Sequence, residues 1–429
     1  MTPEPFSLRA YRAATSLMRP VADAILDRRL KAGKEDPDRI GERRGVPGRP
    51  RPDGPLLWIH GASVGESLSV LPLIERLRVL RPEAGILVTT GTVTSARLMA
   101  ERLPPGAFHQ YAPIDHPAFV GAFLDAWRPD AGLFVESELW PGLIGAAQAR
   151  QVPLALVNGR MSPGAFHAWR KRPAVARALL SAFDVILGQD RANASRFAEL
   201  SGREVRSFGN LKQAAPPLPA DASKLHKLTE AVGGRPCWLA ASTHPGEEEE
   251  VIDAHKRLSA TMPDLLTIIA PRHPERGGSV DALVRGAGLS ASRRSRSDLP
   301  GPEDAIYIAD TLGELGLFYR ICNVAFIGGS LIAVGGHNPL EPARLGCAIL
   351  TGPKIFNFEE TYAAMRGAGG SALVRNARDL SASLARLMND PMTQNQMAQA
   401  AQEWSDGAAS AVLDDITGAL APVLDRVPC

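Results

Sequence analysis

Short apolar runs alternate with stretches of helical periodicity along most of the chain, and this alternation constrains the fold more than any other feature. Such runs, bounded by Gly, Pro and polar residues, predict strands at 56–60, 86–90, 132–137, 154–158, 185–189, 237–242, 265–272, 305–310, 324–329 and 348–353. Repeated strand–helix units favour parallel sheets that helices cover on both faces. We therefore predict an α/β fold built from Rossmann-like βα domains.

A proline-rich stretch, residues 212–224, interrupts this alternation, and 429 residues are too many for one ordinary core. We predict an N-terminal domain over 53–211, a linker over 212–224, and a C-terminal domain with terminal helices over 225–429. Two such domains are expected to face a central cleft, because ligands of these sheets bind beyond the carboxyl ends of the strands.

Residues 1–52 form a basic arm before the first predicted strand. Up to residue 51 the arm holds twelve Lys and Arg, among them Arg12, against seven Asp and Glu. Apolar residues recur near helical spacing over 8–30, and Pro20 is expected to kink the helix. Two interpretations stay open: an amphipathic helix on an anionic membrane surface, or a helix packed on the first domain.

Bulk composition excludes several classes of protein. The net charge of only +2 gives no general affinity for nucleic acid. The four cysteines are Cys237, Cys322, Cys347 and Cys429. They lack C-x-x-C spacing, so neither a zinc site nor a disulfide framework is expected. The longest uncharged run, 321–340, contains four glycines and a proline, which favours strand and loop over a membrane span. No metal-ligand motif occurs at a predicted strand end, so no metal site is expected.

The segment WIHGASVGES, residues 58–67, supports three interpretations. Residues 61–65 spell G-x-S-x-G, the turn that exposes the nucleophile Ser63 in serine hydrolases. Ser63 followed three residues later by Glu66 is also the spacing of a capping box at a helix start. Glu66, beside a glycine-rich turn after a strand, is a candidate general base as well.

The capping-box spacing recurs twice, from Thr311 to Glu314 and from Asn338 to Glu341, each time after a predicted strand. Capping predicts a helix start at both places. The free N–H groups of such helix starts also favour a phosphate, and a first-turn Glu can accept hydrogen bonds from ribose hydroxyls. Arg272, at the end of another predicted strand, has the planar guanidinium that suits a phosphate.

Acidic and basic side chains follow other predicted strands. Glu136 and Glu138 would share one face of a continuing strand and could divide acid and base work. Lys212 ends the first predicted domain, beside the expected cleft. The acidic run 247–250 predicts a solvated helix start.

Taken together, these segments resemble the Kdo transferases (3-deoxy-D-manno-octulosonic acid transferases) of lipopolysaccharide synthesis. The motifs that carry the resemblance are ERRG (42–45), HGASVGE (60–66), VESELWP (135–141), NGRMS (158–162), GNLK (209–212), ASTHPGEEE (241–249), APRHPERG (270–277), DTLGEL (310–315), GGSLIAVGGHNPLEP (328–342) and GPKIFNF (352–358). They occur in order and fall in both predicted domains.

The resemblance implies a two-domain GT-B glycosyltransferase that moves Kdo from CMP-Kdo to a lipid A precursor at the cytoplasmic face of the inner membrane. It implies Glu66 as the general base, with Glu136 and Lys212 stabilising the transition state. The residues implied in CMP binding are Pro271, Arg272, Leu312, Gly313, Glu314, Asn338, Pro339, Leu340 and Glu341. Neither a metal ion nor a cofactor besides the donor CMP-Kdo is implied.

The chain departs from many of these relatives in its N-terminal arm. Their N-terminal segment resembles an apolar membrane anchor, whereas here arginines and Pro20 interrupt residues 8–30. This difference favours peripheral attachment to an anionic membrane. The alternative functions are another GT-B nucleotide-sugar enzyme, such as an epimerase or a different CMP-sugar transferase, a serine hydrolase, and a non-catalytic nucleotide-binding module.

Overall fold

The computed structural model describes residues 5–61, 63–137 and 139–428. Glu138 and Cys429 lie outside the described residues, as does the side chain of Arg12. The described chain forms two compact units. Unit 1 holds the residues up to Pro216 together with those from Ala409 onward, and unit 2 holds Pro217–Ala408.

Unit 1 is built on a parallel seven-stranded sheet with the order β3-β2-β1-β4-β5-β6-β7. Its strands are β1 Leu56–His60, β2 Gly85–Thr90, β3 Ala107–Tyr111, β4 Ala131–Val135, β5 Leu154–Gly159, β6 Val185–Gly188 and β7 Arg206–Ser207. Its helices are α1 Phe6–Leu17, α2 Arg19–Lys31, α3 Val64–Leu80, α4 Val93–Arg102, α5 Pro117–Trp127, α6 Pro141–Ala149, α7 Pro163–Arg170, α8 Pro173–Leu180, α9 Arg191–Ser201 and α18 Ala421–Leu424.

Unit 2 repeats this plan with the strand order β10-β11-β9-β8-β12-β13-β14, again all parallel. Its strands are β8 Cys237–Thr243, β9 Leu266–Pro271, β10 Ala291–Arg293, β11 Ile306–Ile308, β12 Val324–Ile327, β13 Ala348–Thr351 and β14 Ser371–Leu373. Its helices are α10 Ala222–Val232, α11 Glu247–Ser259, α12 Gly277–Gly286, α13 Leu315–Ile321, α14 Leu340–Ala343, α15 Glu359–Gly367 and α16 Ala377–Asn389, and α17 Pro391–Ala419 continues beyond the unit boundary.

Each sheet is buried on both faces, which explains the unbroken apolar runs in the sequence. Every residue of β1 is buried, and Leu57 and Trp58 point into different apolar clusters on opposite faces of the first sheet. In β8, Leu239 and Trp238 divide in the same way between the two clusters of unit 2. The predicted α/β class is therefore confirmed.

Both sheets contain a point where the strand order reverses. In unit 1 the chain runs outward from β1 through β2 to β3, and then returns to place β4 on the other side of β1. In unit 2 it runs outward from β8 and returns to place β12 beside it. Ligands of open parallel sheets bind at the carboxyl ends of the strands at such a point. The segments that follow β1 and β4, and those that follow β8 and β12, are therefore the places to search for a site.

The structural division differs from the predicted domain boundaries at both ends of the second domain. The predicted linker 212–224 is partly folded, because Leu211–Ala214 forms a 3₁₀ helix and α10 begins at Ala222. Residues 409–429 belong to unit 1, since their apolar residues join the cluster beneath β1; these are Val412, Ile416, Leu420, Val423, Leu424 and Val427. The four edge strands of the two sheets, β3, β7, β10 and β14, have no counterpart in the prediction.

The basic arm is helical and is interrupted at Met18, with Pro20 in the first turn of α2, where a missing N–H costs little. Ala22 and Leu26 are buried against unit 1, while Leu17 and Ile25 are exposed. The arm therefore packs on the first unit and still presents an apolar strip. Among the residues that the structure describes, no helix is both long and apolar enough to cross a membrane.

Candidate functional site

Glu66 lies at the start of α3, directly after β1. The Ser63 hydroxyl accepts a hydrogen bond from the Glu66 backbone N–H at 3.3 Å, and the Glu66 carboxylate accepts one from the Ser63 N–H at 3.3 Å. The predicted capping box is thus confirmed. Glu66 is buried with 7% of its surface exposed.

Glu136 follows β4, the strand beside β1, but the prediction that it continues the strand is wrong. Its φ of 59° is left-handed, so the chain turns away from the sheet immediately after Val135. Its carboxylate is buried and forms an ion pair with Lys212 at 2.8 Å, and the Lys212 side chain is 44% exposed. A buried carboxylate and a half-exposed ammonium therefore stand together beyond the carboxyl end of β4.

Asn158 positions this ion pair, a role that sequence reasoning missed. It is the last residue but one of β5 and has a left-handed φ of 56°, and its Oδ1 accepts the backbone N–H of Leu211 at 3.0 Å. Asn210 Oδ1 accepts the N–H of Lys212 at 3.0 Å. These two amides fix the short helix that carries Lys212. The available signal was Asn158 before a glycine at a strand end, since Asn tolerates the left-handed conformation.

A cavity of about 150 Å³ lies in unit 2 beyond the carboxyl ends of β9 and β11. Four of the residues that the resemblance implies in CMP binding line it, namely Pro271, Arg272, Leu312 and Gly313, together with Ser242 and Thr311. Arg272 is exposed. It pairs with no carboxylate of residues 5–61, 63–137 and 139–428, although its charge acts on Glu341. An anion that entered the cavity would therefore meet a guanidinium without an ion-pair partner.

Glu314 does not form the predicted capping box. The helix α13 begins only at Leu315, and the Thr311 hydroxyl donates to the Glu314 carboxylate at 2.7 Å instead of capping a backbone N–H. Arg294 at 2.9 Å and Lys224 at 2.7 Å form ion pairs with the same carboxylate. Hydrogen bonds from Arg294 are the main reason that the pKa of Glu314 falls to about 2. Glu314 is therefore ionised and holds the loop at the edge of the cavity.

The segment from Asn338 to Glu341 forms a single turn rather than a full helix start. Asn338 Oδ1 accepts the backbone N–H of Leu340 at 3.1 Å, and its amide reaches Glu341 at 3.5 Å. The prediction of a helix with Glu at its third position is wrong here, because α14 spans only Leu340–Ala343. Pro339 and Leu340 are buried. Burial raises the pKa of Glu341, while Asn338 and the charge of Arg272 oppose the shift.

The prediction that the acidic run after β8 is a solvated helix start is wrong, because Glu247 and Glu248 are fully buried. Glu247 accepts the backbone N–H groups of Gly329, Ser330 and Leu331, the loop after β12, at 2.6, 2.9 and 2.9 Å. Glu248 pairs with Arg276 at 2.6 Å. These acids fasten the loops at the switch point of the second sheet, which local spacing could not reveal.

Comparison with known proteins places the chain in a family. Residues 38–215 match the family model described as 3-Deoxy-D-manno-octulosonic-acid transferase (kdotransferase). The 3-deoxy-D-manno-octulosonic acid transferase of Rickettsia bellii is 40% identical over 349 residues, 81% of this chain and 83% of that protein. The enzyme of the same name from Haemophilus influenzae is 34% identical over 397 residues, which cover 90% of each chain.

A solved glycosyltransferase from Rickettsia africae is similar in fold, with a TM-score of 0.57 at 10% identity over 87% of this chain and 99% of that one. This likeness bears on the fold alone and agrees with the GT-B arrangement of two parallel sheets. Within the described part of the chain, no group of three or more His, Cys, Asp or Glu is placed to hold a metal ion. The sequence relatives decide the family: this chain is a glycosyltransferase that belongs to the 3-deoxy-D-manno-octulosonic acid transferases.

Proposed function

We propose that the enzyme transfers Kdo from CMP-Kdo to a lipid A precursor of the lipid IVA type, with inversion, and that Glu66 is the general base. The observation that carries this proposal is the position of Glu66, whose buried carboxylate stands at the start of α3, directly beyond the carboxyl end of β1 at the switch point of the first sheet. A carboxylate at such a position can take the proton of an attacking hydroxyl. Glu136, beyond the neighbouring strand β4, is ion-paired with the ammonium of Lys212, and this pair suits the stabilisation of charge.

The reaction needs one base and no covalent intermediate. A hydroxyl of the acceptor attacks the anomeric carbon of Kdo while its proton passes to Glu66, because a neutral sugar hydroxyl is a poor nucleophile. The bond from the anomeric carbon to the phosphate breaks, and its electron pair leaves with CMP. Attack opposite the leaving group inverts the anomeric centre. The pair of Glu136 and Lys212 stabilises the charges that develop as the bond breaks.

For the donor, we propose that the cavity of unit 2 binds CMP, with Arg272 on the phosphate. Pro271, Leu312 and Gly313 form its wall. Glu314 acts indirectly, because its bond to Thr311 holds the loop that carries Leu312 and Gly313. We assign the turn from Asn338 to Glu341, in the loop after β12, to CMP binding as well. One phosphate carries few charges, and a guanidinium with backbone N–H groups can neutralise it without a metal ion.

Calorimetric titration tests the donor site with CMP and with cytidine, which lacks the phosphate. Arg272→Gln should weaken CMP binding by roughly 10- to 100-fold, since charge-assisted hydrogen bonds contribute about 1.5–3 kcal/mol, and should leave cytidine binding unchanged. Arg296→Gln, an exposed arginine outside the cavity lining, is the matched control. Equal losses for both ligands would contradict the assignment of Arg272 to the phosphate.

The base assignment is tested by initial rates of Kdo transfer from CMP-Kdo to lipid IVA, with and without EDTA. Glu66→Gln should keep the fold and lose about 10²-fold or more in rate, because an amide cannot take the proton. Ser63→Ala should cost about 1 kcal/mol of stability and keep substantial activity. An active Glu66→Gln variant would transfer the role to Glu136. A wild-type enzyme that transfers nothing from CMP-Kdo would refute the donor, and inhibition by EDTA would refute metal independence.

We also propose that the arm formed by α1 and α2 lies on the anionic cytoplasmic face of the inner membrane, where the acylated acceptor resides. Leu17 is 85% exposed, Met18, Val21 and Ile25 about half exposed, and Arg19 and Arg28 accompany them. Apolar side chains beside arginines favour an anionic bilayer surface. Sedimentation with anionic vesicles should exceed that with zwitterionic vesicles and should fall in Leu17→Glu; equal binding to both would contradict the proposal.

A further inference from the structure

Two histidine rings meet at the switch point of the second sheet. His244 directly follows β8, and His337 lies in the loop after the neighbouring strand β12. The rings are nearly parallel, at 8° with centroids 5.1 Å apart, and their Nε2 atoms are 2.8 Å apart. A hydrogen bond between two ring nitrogens needs one proton between them, so one Nε2 donates and the other accepts. In the neutral pair one ring therefore carries its proton on Nε2 and the other ring carries its proton on Nδ1.

Two arginines lie near this pair. The charged and titratable groups that face the two rings are Arg272, Arg276, His273 and Glu247. Burial is the main reason that the pKa of His337 falls to about 4, and the nearby His244, Arg272 and His273 lower it further. Burial also lowers the pKa of His244, although the charge of Glu247 opposes this shift. In the free protein at neutral pH both rings are therefore uncharged.

Both rings are only partly buried, and they lie close to the arginine assigned to the donor phosphate. The backbone N–H of Arg272 donates to the carbonyl of Thr243 at 3.0 Å, so Arg272 is tied to the residue that precedes His244. His337 is fixed separately, because Tyr362 donates to its backbone carbonyl at 2.9 Å and Gly329 passes directly beneath its ring. The pair is thus held by the backbone and is open to solvent or to a ligand.

We propose that His244 and His337 act as a proton-sharing pair that takes up one proton from solvent when the phosphate of the donor binds beside Arg272, and that the protonated pair supplies a second positive charge to the leaving phosphate. This inference rests on the proposed use of CMP-Kdo. The physical reason is that a phosphate reverses the local charge balance, which favours the protonated form of a nearby imidazole. In the protonated pair, the charged ring donates a hydrogen bond from its Nε2, and the Nε2 of the neutral ring accepts it.

The pair takes no part in the bond changes themselves. The electron pair of the broken bond goes to the phosphate oxygen of CMP, and the proton of the acceptor hydroxyl goes to Glu66. The proton on the histidine pair stays there through the transfer and returns to solvent when CMP leaves. Its contribution is electrostatic and grows as negative charge collects on the phosphate.

The test is titration of the full-length enzyme with CMP at pH 7.5 in buffers of different ionisation enthalpy, which gives the number of protons taken up per CMP bound. At this pH the phosphate of CMP is already largely dianionic, since its second pKa is about 6. The double variant His244→Gln with His337→Gln keeps polar groups near both Nε2 positions and removes both titratable rings. His226→Gln, an exposed histidine of α10, is the control for substitution, and His273→Gln tests the neighbouring ring, 6.0 Å from His244.

We expect proton uptake in the wild type, in His226→Gln and in His273→Gln, and its loss in the double variant, which should still bind CMP but more weakly. The Kd for CMP in the wild type should rise with pH, by up to about tenfold per unit where one proton is taken up, and this dependence should flatten in the double variant. CMP binding without uptake, or uptake that survives in the double variant, would overturn the inference. Absence of CMP binding by the wild type would instead refute the proposed donor.

Discussion

Glu247 provides the sharpest test of how the second sheet holds its loops. Each oxygen of its carboxylate accepts two backbone hydrogen bonds: Oε1 those of Ser330 and Leu331, and Oε2 those of Gly329 and His244, at 2.6 to 3.1 Å. The side chain is fully buried. In Glu247→Gln one oxygen becomes an NH₂ group, and in either orientation that group faces two N–H donors.

The cost follows from this geometry. Two backbone N–H groups lose their acceptor, and leaving a buried donor unsatisfied costs about 1–3 kcal/mol each. We therefore expect Glu247→Gln to destabilise unit 2 by roughly 2–6 kcal/mol. Glu249→Gln is the matched control two residues away, because within the described part of the chain its exposed carboxylate accepts a single backbone N–H, that of Gly246, at 3.0 Å. An amide oxygen can replace that single acceptor, so the control should lose less than about 1 kcal/mol.

Hydrogen–deuterium exchange read on peptides from 324–340, combined with thermal melting, measures the effect where it arises. Exchange in this loop should accelerate by at least tenfold in Glu247→Gln and should stay near the wild-type rate in Glu249→Gln. If the two variants exchange and melt alike, the four hydrogen bonds do not hold the loop, and the reasoning from buried unsatisfied donors is wrong for this site.

Three further changes have defined outcomes. Lys212→Met should lower the rate of Kdo transfer by about 10-fold or more and should also lower the melting temperature, because it leaves the buried carboxylate of Glu136 without its ion-pair partner; an unchanged rate would contradict the proposed role of the pair. Glu314 has its pKa depressed from 4.5 to about 2, so its stabilising contribution is present above pH 4.5 and is lost as the pH falls through 2. Glu314→Gln should therefore lose less melting temperature than the wild type between these pH values, and equal losses would count against the ion pairs. Gly316→Ala places a methyl group on the carbonyl oxygen of Pro219 and should destabilise by about 1–3 kcal/mol, whereas Gly286→Ala, a helical glycine in open space, should be neutral or stabilising in the same unfolding experiment.

The sequence was informative where one local rule decides the structure. Apolar runs located β1 and β8 correctly, since fully buried parallel strands leave continuous apolar stretches. The capping box at Ser63 and Glu66 was predicted because its partners are only three residues apart. The short edge strands such as β7, only Arg206–Ser207, were missed because an edge strand needs little apolar sequence.

Prediction from spacing failed where a distant residue takes the side chain. Glu314 has the spacing of a cap, but Arg294 and Lys224 bind its carboxylate, and neither is close in sequence. Glu247 stands in a charged run, yet three of its four backbone partners lie more than eighty residues further along the chain. Glu136 shows the converse: its left-handed backbone ends a strand that alternation would continue. Such pairings depend on which strands become neighbours, and no local pattern contains that information.

These long-range pairings explain why the donor edge of unit 2 can be rich in acids and still suit an anion. Glu248 and Asp310 each hold an arginine, and Glu314 holds an arginine and a lysine; the partners are Arg276, Arg293, Arg294 and Lys224. The carboxylate of Glu247 accepts hydrogen bonds from backbone N–H groups. Each of these acids is thereby held by partners within the fold, whereas Arg272 has no ion pair among the residues described. Of the residues that line the cavity, Arg272 is the one with a charged side chain, so an anion that enters meets a guanidinium there and no carboxylate of the lining.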